Sequence, residues 1–448
     1  MAFPISKTNI YFKIAIIAII MLVLLIPATM VLGLVQEREY VQENAIQEVS
    51  SKWGNAQTLV GPYLTVPYDE MKTRWNAKDS IQETYAVRRY AHFLPEQLKT
   101  ESILAPETRY RGIYEVVVYN SDVTMTGSFE NLDFRKLDID PKLAYFDKAT
   151  VNLGITDLKG IEKQLVIDWN GNQSSFNPGL TTQDLATSGI NAPVTVGPEK
   201  DRAYSFTAAL ELKGSQSVQV APVGRTTDVF IKSDWPTPSF SGTYLPDDRE
   251  ITETGFDAHW NILHLNRNYP QQWTGSQYNV ASSLFGTDLL LPVDNYKKTY
   301  RVAKYAILFL VLTFLTFFFV EVMRKVFIHP IQYLLVGLAL IVFYVLLLSF
   351  SEHMLFNIAY ALAATLTLLL ISLYTAAILK NFRLGALLFG ILLLLYTFIF
   401  AIIQLEDYAL LVGSIGMFLV LTLVMYMSRK IDWYNLSLDN GASDKEVT

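Results

Sequence analysis

The sequence predicts a membrane protein with three parts: a single N-terminal transmembrane anchor, a large, mostly antiparallel and sandwich-like β domain outside the cytoplasm, and a C-terminal five-helix transmembrane bundle. Six apolar runs are each long enough to cross a bilayer core of about 30 Å. Five of them follow one another after residue 300, and the region before these five is rich in short segments with strand character. The predicted parts are a cytoplasmic tail and anchor at residues 1–35, a periplasmic β domain at 36–300, the bundle at 301–428 and a cytoplasmic tail at 429–448.

The first apolar run, residues 14–35, favours an uncleaved anchor over a signal peptide. It is longer than the apolar region of about 7 to 15 residues that a signal peptide carries, and no clear A-x-A cleavage site follows it. Beyond the run, Val41, Ala45, Val49 and Trp53 recur at helical spacing. We therefore expect the helix to continue outward as an amphipathic segment.

Five further apolar runs predict five transmembrane helices, at about residues 305–323, 331–350, 354–379, 384–403 and 408–427. A soluble protein of this size would rarely need five core helices of this length in succession, so span length favours the membrane. A short loop with Arg324 and Lys325 separates the first two of these runs. Pro330 ends this loop, at a position where the next helix can begin without losing a backbone hydrogen bond.

Lys and Arg orient the spans, because short cytoplasmic loops collect these residues. They lie before the first span and after the second, fourth and sixth, at Lys7 and Lys13, Arg324 and Lys325, Lys380 and Arg383, and Arg429 and Lys430. The alternate loops carry acidic residues without Lys or Arg: Glu352 with His353, and Glu406 with Asp407. We therefore expect both termini in the cytoplasm and residues 36–300 in the periplasm. Four basic residues at 297–304 fall on the outer side, but translocation of a long domain depends little on its charge.

Short β-branched or aromatic segments, divided by Gly, Asn, Asp and Pro, predict the β domain. They are residues 112–129, 149–158, 163–169, 204–214, 226–235 and 256–265. Residues 36–300 contain 25 Lys or Arg against 34 Asp or Glu, a net charge of −9, whereas the rest of the chain has a net charge of +3. This balance argues against nucleic acid as a partner. The chain has no cysteine, which excludes thiol chemistry, disulfides and Cys zinc sites.

The usual catalytic and cofactor motifs are absent from the sequence. It has no H-E-x-x-H, G-x-S-x-G, G-x-x-x-x-G-K-[ST] or G-x-G-x-x-G, the signatures of metalloproteases, serine hydrolases and nucleotide-binding proteins. His92 and Glu96 are four apart, but Pro95 would disrupt the helix that a metal site with this spacing needs. His259 and His264, five apart in a predicted strand, point to opposite faces. We predict no catalytic residue, no cofactor and no metal site.

Six of the seven tryptophans lie in the predicted β domain, at positions 53, 75, 169, 235, 260 and 273. Exposed aromatic rings can stack on sugars such as cell wall glycans. Large aromatic residues in a β domain more often form its core. We therefore favour a core role for these residues and keep carbohydrate binding as the alternative.

Three polar residues near the ends of the predicted spans are candidate functional residues: Glu321, Glu352 and His353. A carboxylate in a membrane helix is costly and often functional, although none of these lies at mid-bilayer. Glu321 has helical spacing to Arg324 and Lys325, which favours an ion pair that reaches the cytoplasmic surface. Glu352 and His353 either relay protons as an acid and base pair or cap a solvated loop, and the cap is the simpler interpretation.

Several stretches resemble the CreD family of bacterial inner-membrane proteins, also called cell envelope integrity proteins. They are VGPYLTVPY (60–68), RRYAHFLPEQL (88–98), RYRGIYEVVVY (109–119), DWPTPSFSGTYLP (234–246), LLPVDNYKKTYRVAKYAILFLVLTFLTFFFVEV (290–322) and HPIQYLLVGLALIVFYVLLLSFSEH (329–353). The resemblance covers essentially the whole chain, with one departure: Tyr110 separates the two arginines that we would expect to be adjacent before GIYEV. The resemblance implies an inner-membrane protein associated with a two-component system of the Cre type, with the response to β-lactams or other envelope stress, and with envelope integrity. The family supplies no established catalytic residues.

Three function classes remain. The favoured one is an envelope-stress effector or scaffold, whose β domain binds a periplasmic or inner-membrane envelope protein or the cell wall. The second is a transporter or channel that uses Glu352, His353 and the bundle tyrosines, and the third is an enzyme at the membrane surface. The scarcity of mid-membrane charge disfavours transport, and the lack of converging catalytic motifs disfavours an enzyme. The lipid bilayer is the partner that the spans imply directly, and the oligomeric state stays open.

Overall fold

The computed structural model describes residues 10–76, 81–199, 202–291, 295–324, 326–405 and 408–429. It confirms the predicted fold class: an N-terminal apolar helix, a large and mostly antiparallel β domain, and a C-terminal bundle of five apolar helices. The chain forms two compact units, which divide between residues 42 and 43 and between residues 292 and 293. Five residues that entered the prediction of topology lie outside the described residues: Lys7, Lys325, Glu406, Asp407 and Lys430.

The helices of the described part of the chain are α1 (Ile10–Trp53), α2 (Asn295–Lys304), α3 (Ala306–Arg324), α4 (Pro330–Ser351), α5 (Phe356–Ile378), α6 (Phe382–Gln404) and α7 (Ala409–Ser428). All except α2 are long and apolar enough to cross a membrane. α1 continues past the apolar run as far as Trp53, as the helical spacing of its second half predicted. Its first half buries Ile17, Leu24, Ala28 and Val31, the face that packs in the apolar core of the bundle.

α4 begins at the proline that the sequence singled out. Pro330 occupies its first turn, where a missing N–H costs nothing. The His329 ring accepts a hydrogen bond from the Ile331 N–H at 3.3 Å, and the Gln332 side chain accepts one from the His329 N–H at 2.9 Å. These two bonds satisfy donors that the helix itself leaves unpaired.

α2 is a helix that the sequence patterns did not predict. Its buried residues recur at the spacing of one helix face, and they are Tyr296, Thr299, Val302 and Ala303. The four basic residues at 297, 298, 301 and 304 alternate with them in the sequence and occupy the remaining surface. Ten residues are too few for periodicity to separate a helix from a polar loop, and only the apolar neighbours supplied by the bundle select the helix.

The β unit contains seventeen described strands: β1 (Gln57–Asn76), β2 (Ile81–Phe93), β3 (Gln97–Arg111), β4 (Tyr114–Phe129), β5 (Ala149–Ile155), β6 (Val166–Trp169), β7 (Asn172–Ser175), β8 (Asn177–Pro178), β9 (Gly189–Val194), β10 (Tyr204–Ser215), β11 (Ser217–Val220), β12 (Thr226–Ser233), β13 (Pro238–Gly242), β14 (Asp248–Thr252), β15 (Gly255–Leu263), β16 (Gln272–Thr274) and β17 (Phe285–Leu289). Each of the six segments predicted as strands overlaps one of them. The long hairpin of β1 and β2 was not predicted, because the described side chains of its outer part are mostly exposed on both faces and show no clear alternation of apolar and polar residues.

The strands form two sheets. In the first, the order is β13, β17, β11, β1, β5, β9, β8, and β2 pairs with both β1 and β16. In the second, the order is β14, β15, β12, β3, β4, β10, β6, β7. β1 pairs with β11 and β3 with β12 in parallel, and the other described pairs are antiparallel.

The core of the β unit lies between the two sheets. Alternate residues of β10 point inward, among them Tyr204, Phe206 and Ala208. They belong to the same buried cluster as Val151 and Ala192 of the first sheet. A second cluster joins Trp260 of the second sheet to Val218 and Phe285 of the first. Trp169, Trp260 and Trp273 are buried, as the core interpretation requires, whereas Trp75 is exposed.

Candidate functional site

Glu321 lies in a buried polar cluster at one end of the helix bundle. Phe314, Phe317 and Glu321 follow one another on the inward face of α3, and the Glu321 side chain is 1% exposed. Its carboxylate binds the ammonium group of Lys13, a residue of α1 that is equally buried. Lys13 belongs to the face of α1 that continues through Ile17, so the inward faces of the two helices bring the opposite charges together.

The remaining partners of this ion pair come from α4 and from the loop before it. The Tyr333 hydroxyl donates to Glu321 Oε2 at 2.9 Å, and the Ile328 N–H donates to Oε1 at 3.1 Å. The Lys13 ammonium also donates to the Ile328 carbonyl at 2.8 Å and lies 4.2 Å from the centre of the Phe327 ring. A buried charge is tolerated when it is paired and hydrogen-bonded, and both charges here meet that condition.

The prediction that Glu321 pairs with Arg324 was wrong. Arg324 is exposed and is not among the groups that bind Glu321, and Lys325 lies outside the described residues. Helical spacing finds partners only on the same helix, whereas the actual partner, Lys13, is 308 positions away in the sequence. Lys13 entered the sequence argument only as a charge that orients the first span.

Glu352 and His353 lie at the opposite end of α4. The Tyr296 hydroxyl of α2 donates to Glu352 Oε1 at 3.0 Å, and the Arg38 guanidinium of α1 lies 3.6 Å from the same oxygen. His353 is exposed, and its backbone N–H donates to the Phe350 carbonyl at 3.0 Å. The carboxylate therefore joins three helices, while the imidazole faces outward. Any functional role of Glu321, Glu352 and His353 stays a prediction.

Aromatic side chains fill the interior between these two polar ends. The rings of Phe309, Phe343 and Tyr396 pack with centroids 4.6 to 5.8 Å apart. The Tyr360 hydroxyl donates to the Tyr396 carbonyl at 2.8 Å, an interhelical hydrogen bond of the kind expected for the bundle tyrosines. Within the described residues of α3 to α6, the charged side chains lie toward the ends of the helices and the middle is apolar or aromatic.

A second buried polar cluster surrounds His92 in the β unit. Thr65 of β1 faces His92 of β2 directly, and its hydroxyl oxygen lies 3.1 Å from His92 Nδ1. His92 Nε2 lies 2.9 Å from the Asp184 carboxylate, which reaches in from the segment before β9. Asn152 of β5 donates to the Thr65 hydroxyl at 3.0 Å and accepts from the Thr181 N–H at 3.0 Å. The cluster therefore ties three strands to the segment that carries Thr181 and Asp184.

The hydrogen bonds around His92 fit the neutral imidazole. Nε2 donates to Asp184, Nδ1 accepts from Thr65, and the Thr65 oxygen accepts from Asn152. Burial lowers the pKa of His92 below its ordinary value of 6.5, more than the Asp184 carboxylate raises it. The order of hydroxyl, imidazole and carboxylate resembles a hydrolase triad, but Thr65 and His92 are both fully buried, so a substrate cannot reach the hydroxyl.

The histidines of the sequence analysis do not converge on a metal site. His92 binds Asp184, whereas Glu96 pairs with Arg225 at 2.8 Å. The His259 ring stacks on Phe230, with centroids 4.2 Å apart and an interplanar angle of 6°. In the part of the chain that the structure describes, no three His, Asp or Glu residues are placed to hold a metal ion.

A concave surface of about 690 Å³ lies on the outer face of the second sheet of the β unit. β3, β12, β14 and β15 line it with both apolar and charged side chains. Phe230 and Ile103 contribute exposed apolar surface, while Lys232 pairs with Asp257 at 2.9 Å. The sequence predicted β12 and β15 but not β3 and β14, and it did not show that outward residues of these four strands form one concavity.

Comparisons with known proteins agree with the architecture. The sequence profile of the family described as CreD, Inner membrane protein CreD, matches residues 9–434. Inner membrane protein CreD of Escherichia coli (strain K12) is 31% identical over 445 residues, an alignment that covers 99% of this chain and 98% of that protein. Neither name suggests an enzyme. With a family match over nearly its whole length and six helices able to span a membrane, the chain belongs to the CreD family of inner membrane proteins.

Proposed function

We propose that this protein helps to maintain the integrity of the cell envelope under stress, as an effector or scaffold that works through its β domain. The observation that carries the proposal is membership of the CreD family over nearly the whole chain. The association of that family with β-lactam and other envelope stress supplies the process. The β domain is the part with surface available for a periplasmic partner, and we place the contact on its concave face around Phe230 and Ile103.

The packing of the helix bundle supports a scaffold more than a transport path. Phe309, Phe343 and Tyr396 occupy the middle of the bundle, and the charges at both ends are held by partners from neighbouring helices. Transport of a charged solute normally leaves ionisable groups facing a hydrated path. Glu352, with Tyr296 and Arg38, is the group that favours the alternative of a transporter or channel.

The proposed topology places both termini in the cytoplasm and the β domain in the periplasm. Because the chain has no cysteine, single introduced cysteines give a labelling experiment without background. Leu265→Cys in the β unit and Leu355→Cys after α4 are expected to react with a membrane-impermeant maleimide added to intact spheroplasts. Phe382→Cys, at the start of α6, is expected to react only after the membrane is permeabilised. All three side chains are exposed. Labelling of Phe382→Cys from outside would overturn the topology.

Complementation tests which part of the protein works. A version that ends at residue 291 keeps α1 and the β unit, and we expect it to restore β-lactam and detergent tolerance to a strain that lacks the protein. The full-length Glu352→Gln/His353→Ala variant is expected to restore tolerance as well, because a scaffold does not need the outer polar pair. If both versions fail at wild-type abundance, the transport alternative replaces the proposal.

A further inference from the structure

An apolar groove of about 490 Å³ runs between α3, α6 and α7. Thr316 and Val320 line it from α3, Leu387 and Leu395 from α6, and Val420 from α7. All of these helices belong to the same compact unit. The groove is separate from the Glu321 cluster and from the outer end with Glu352.

The groove exists because α7 packs loosely. In its most apolar stretch only 6% of residues are buried, against 39% to 56% for α3 to α6. Gly416 of α7 lies against the Phe398 ring of α6, and both residues line the groove. Tight association of membrane helices commonly uses small residues, and α7 has such a contact on its α6 side.

Arg324 lines one end of this otherwise apolar groove. Its guanidinium is exposed, and among the described residues no carboxylate pairs with it. Arg383 at the start of α6 and Arg429 just after α7 lie at the same end of the bundle, because α6 runs opposite to α3 and α7. The apolar groove therefore opens at the end of the bundle where Arg324, Arg383 and Arg429 lie.

The length of the groove matches one leaflet of a bilayer. Leu312 and Arg324 both line it, and the twelve helical steps from one to the other rise about 18 Å at 1.5 Å per residue. One half of a bilayer core is about 15 Å thick. An acyl chain that enters beside Arg324 would thus end near the membrane centre, at the level of Leu312.

We propose that this groove binds one anionic phospholipid, with an acyl chain between α3, α6 and α7 and the headgroup phosphate on Arg324. Guanidinium groups bind phosphate oxygens in pairs, and basic sites between membrane helices recognise anionic headgroups. Arg383 and Arg429 add positive charge that disfavours lipids with an ammonium headgroup. The proposal does not depend on the proposed function or on which leaflet faces the cytoplasm.

The test is native mass spectrometry of the full chain in detergent with added lipid. Phosphatidylglycerol is compared with phosphatidylcholine of the same acyl chains. We expect the wild type to keep one phosphatidylglycerol in preference to phosphatidylcholine. Arg324→Gln should weaken phosphatidylglycerol retention about five- to tenfold, which corresponds to about 1 to 1.4 kcal/mol. Its effect on phosphatidylcholine should be smaller, because the neighbouring arginines already disfavour the ammonium group of that lipid.

Two matched pairs of variants distinguish lipid binding in the groove from general effects of bulk and charge on lipid retention. Val420→Phe places a ring in the groove and is expected to reduce retention of both lipids, whereas Leu421→Phe, on the exposed side of α7, should not. Arg429→Gln removes a charge that does not line the groove and should have a smaller effect than Arg324→Gln. Equal retention by wild type and Arg324→Gln would overturn the proposal. Loss of a dimer in Val420→Phe with unchanged lipid retention would show that a second copy occupies the groove instead.

Discussion

Lys13→Met is expected to destabilise the helix bundle by about 3 to 5 kcal/mol, the usual cost of breaking a buried ion pair from one side. The substitution leaves the Glu321 carboxylate buried without its counter-charge, and among the described residues the Tyr333 hydroxyl and the Ile328 N–H remain to satisfy it. Lys13 is also the residue that ties α1 to the loop before α4, through the Ile328 carbonyl. The measurement is the loss of helical circular dichroism on heating the protein in detergent.

The controls distinguish a buried pair from a surface charge. In Lys13→Met/Glu321→Gln both charges are removed. The Gln carbonyl can still accept from the Ile328 N–H, and the Gln amide can donate to the Tyr333 hydroxyl oxygen. This double variant is expected to recover most of the lost stability, because the cost comes from the unpaired charge rather than from the missing pair. Arg383→Met removes an exposed cation and should change stability by no more than about 0.5 kcal/mol. A Lys13→Met variant as stable as Arg383→Met would contradict the buried network.

His92→Ala is expected to destabilise the β unit by about 2 to 4 kcal/mol, since it leaves a cavity and a buried Thr65 hydroxyl without its acceptor. It also releases Asp184, one of the residues through which the segment before β9 binds the sheet. Tryptophan fluorescence during urea unfolding reports this loss, because six of the seven tryptophans lie at positions 53–273 and Trp273 lies 6.2 Å from the His92 ring. His264→Gln, at a partly exposed histidine, is the matched control.

The same site predicts how stability depends on pH. Because burial lowers the folded-state pKa of His92 below its ordinary 6.5, the unfolded chain takes up a proton first as pH falls. The contribution of the neutral imidazole is therefore complete above about pH 7 and is lost progressively as pH falls below 6.5. We expect a larger loss of stability between pH 7.5 and 5.5 in the wild type and in His264→Gln than in His92→Gln. The same pH dependence in His92→Gln as in the wild type would assign the effect to other groups.

The fold class could be predicted from the sequence because its signals are local. A run of about twenty apolar residues is a membrane helix whatever its neighbours, since the bilayer supplies the apolar surroundings. Such local signals predicted the apolar runs, the proline that starts α4 and the six strand segments. α2 could not be predicted in this way, because its periodicity becomes visible only against a packed neighbour. The hairpin of β1 and β2 could not be predicted either, because its outer part has no buried face that would impose a pattern.

The two buried polar clusters, around Glu321 and around His92, also combine features that the sequence determines with features that only the tertiary structure decides. The sequence alone determined that Glu321 is a carboxylate near a membrane surface and that Pro95 disfavours a shared helix for His92 and Glu96. Only the tertiary structure decided that Glu321 binds Lys13 and that His92 lies between Thr65 and Asp184. The physical reason is that a buried charge or imidazole takes whichever partner packing brings within hydrogen-bond distance. Sequence spacing shows which residues can pair within one helix or strand, but it cannot predict a pair whose members are 308 positions apart.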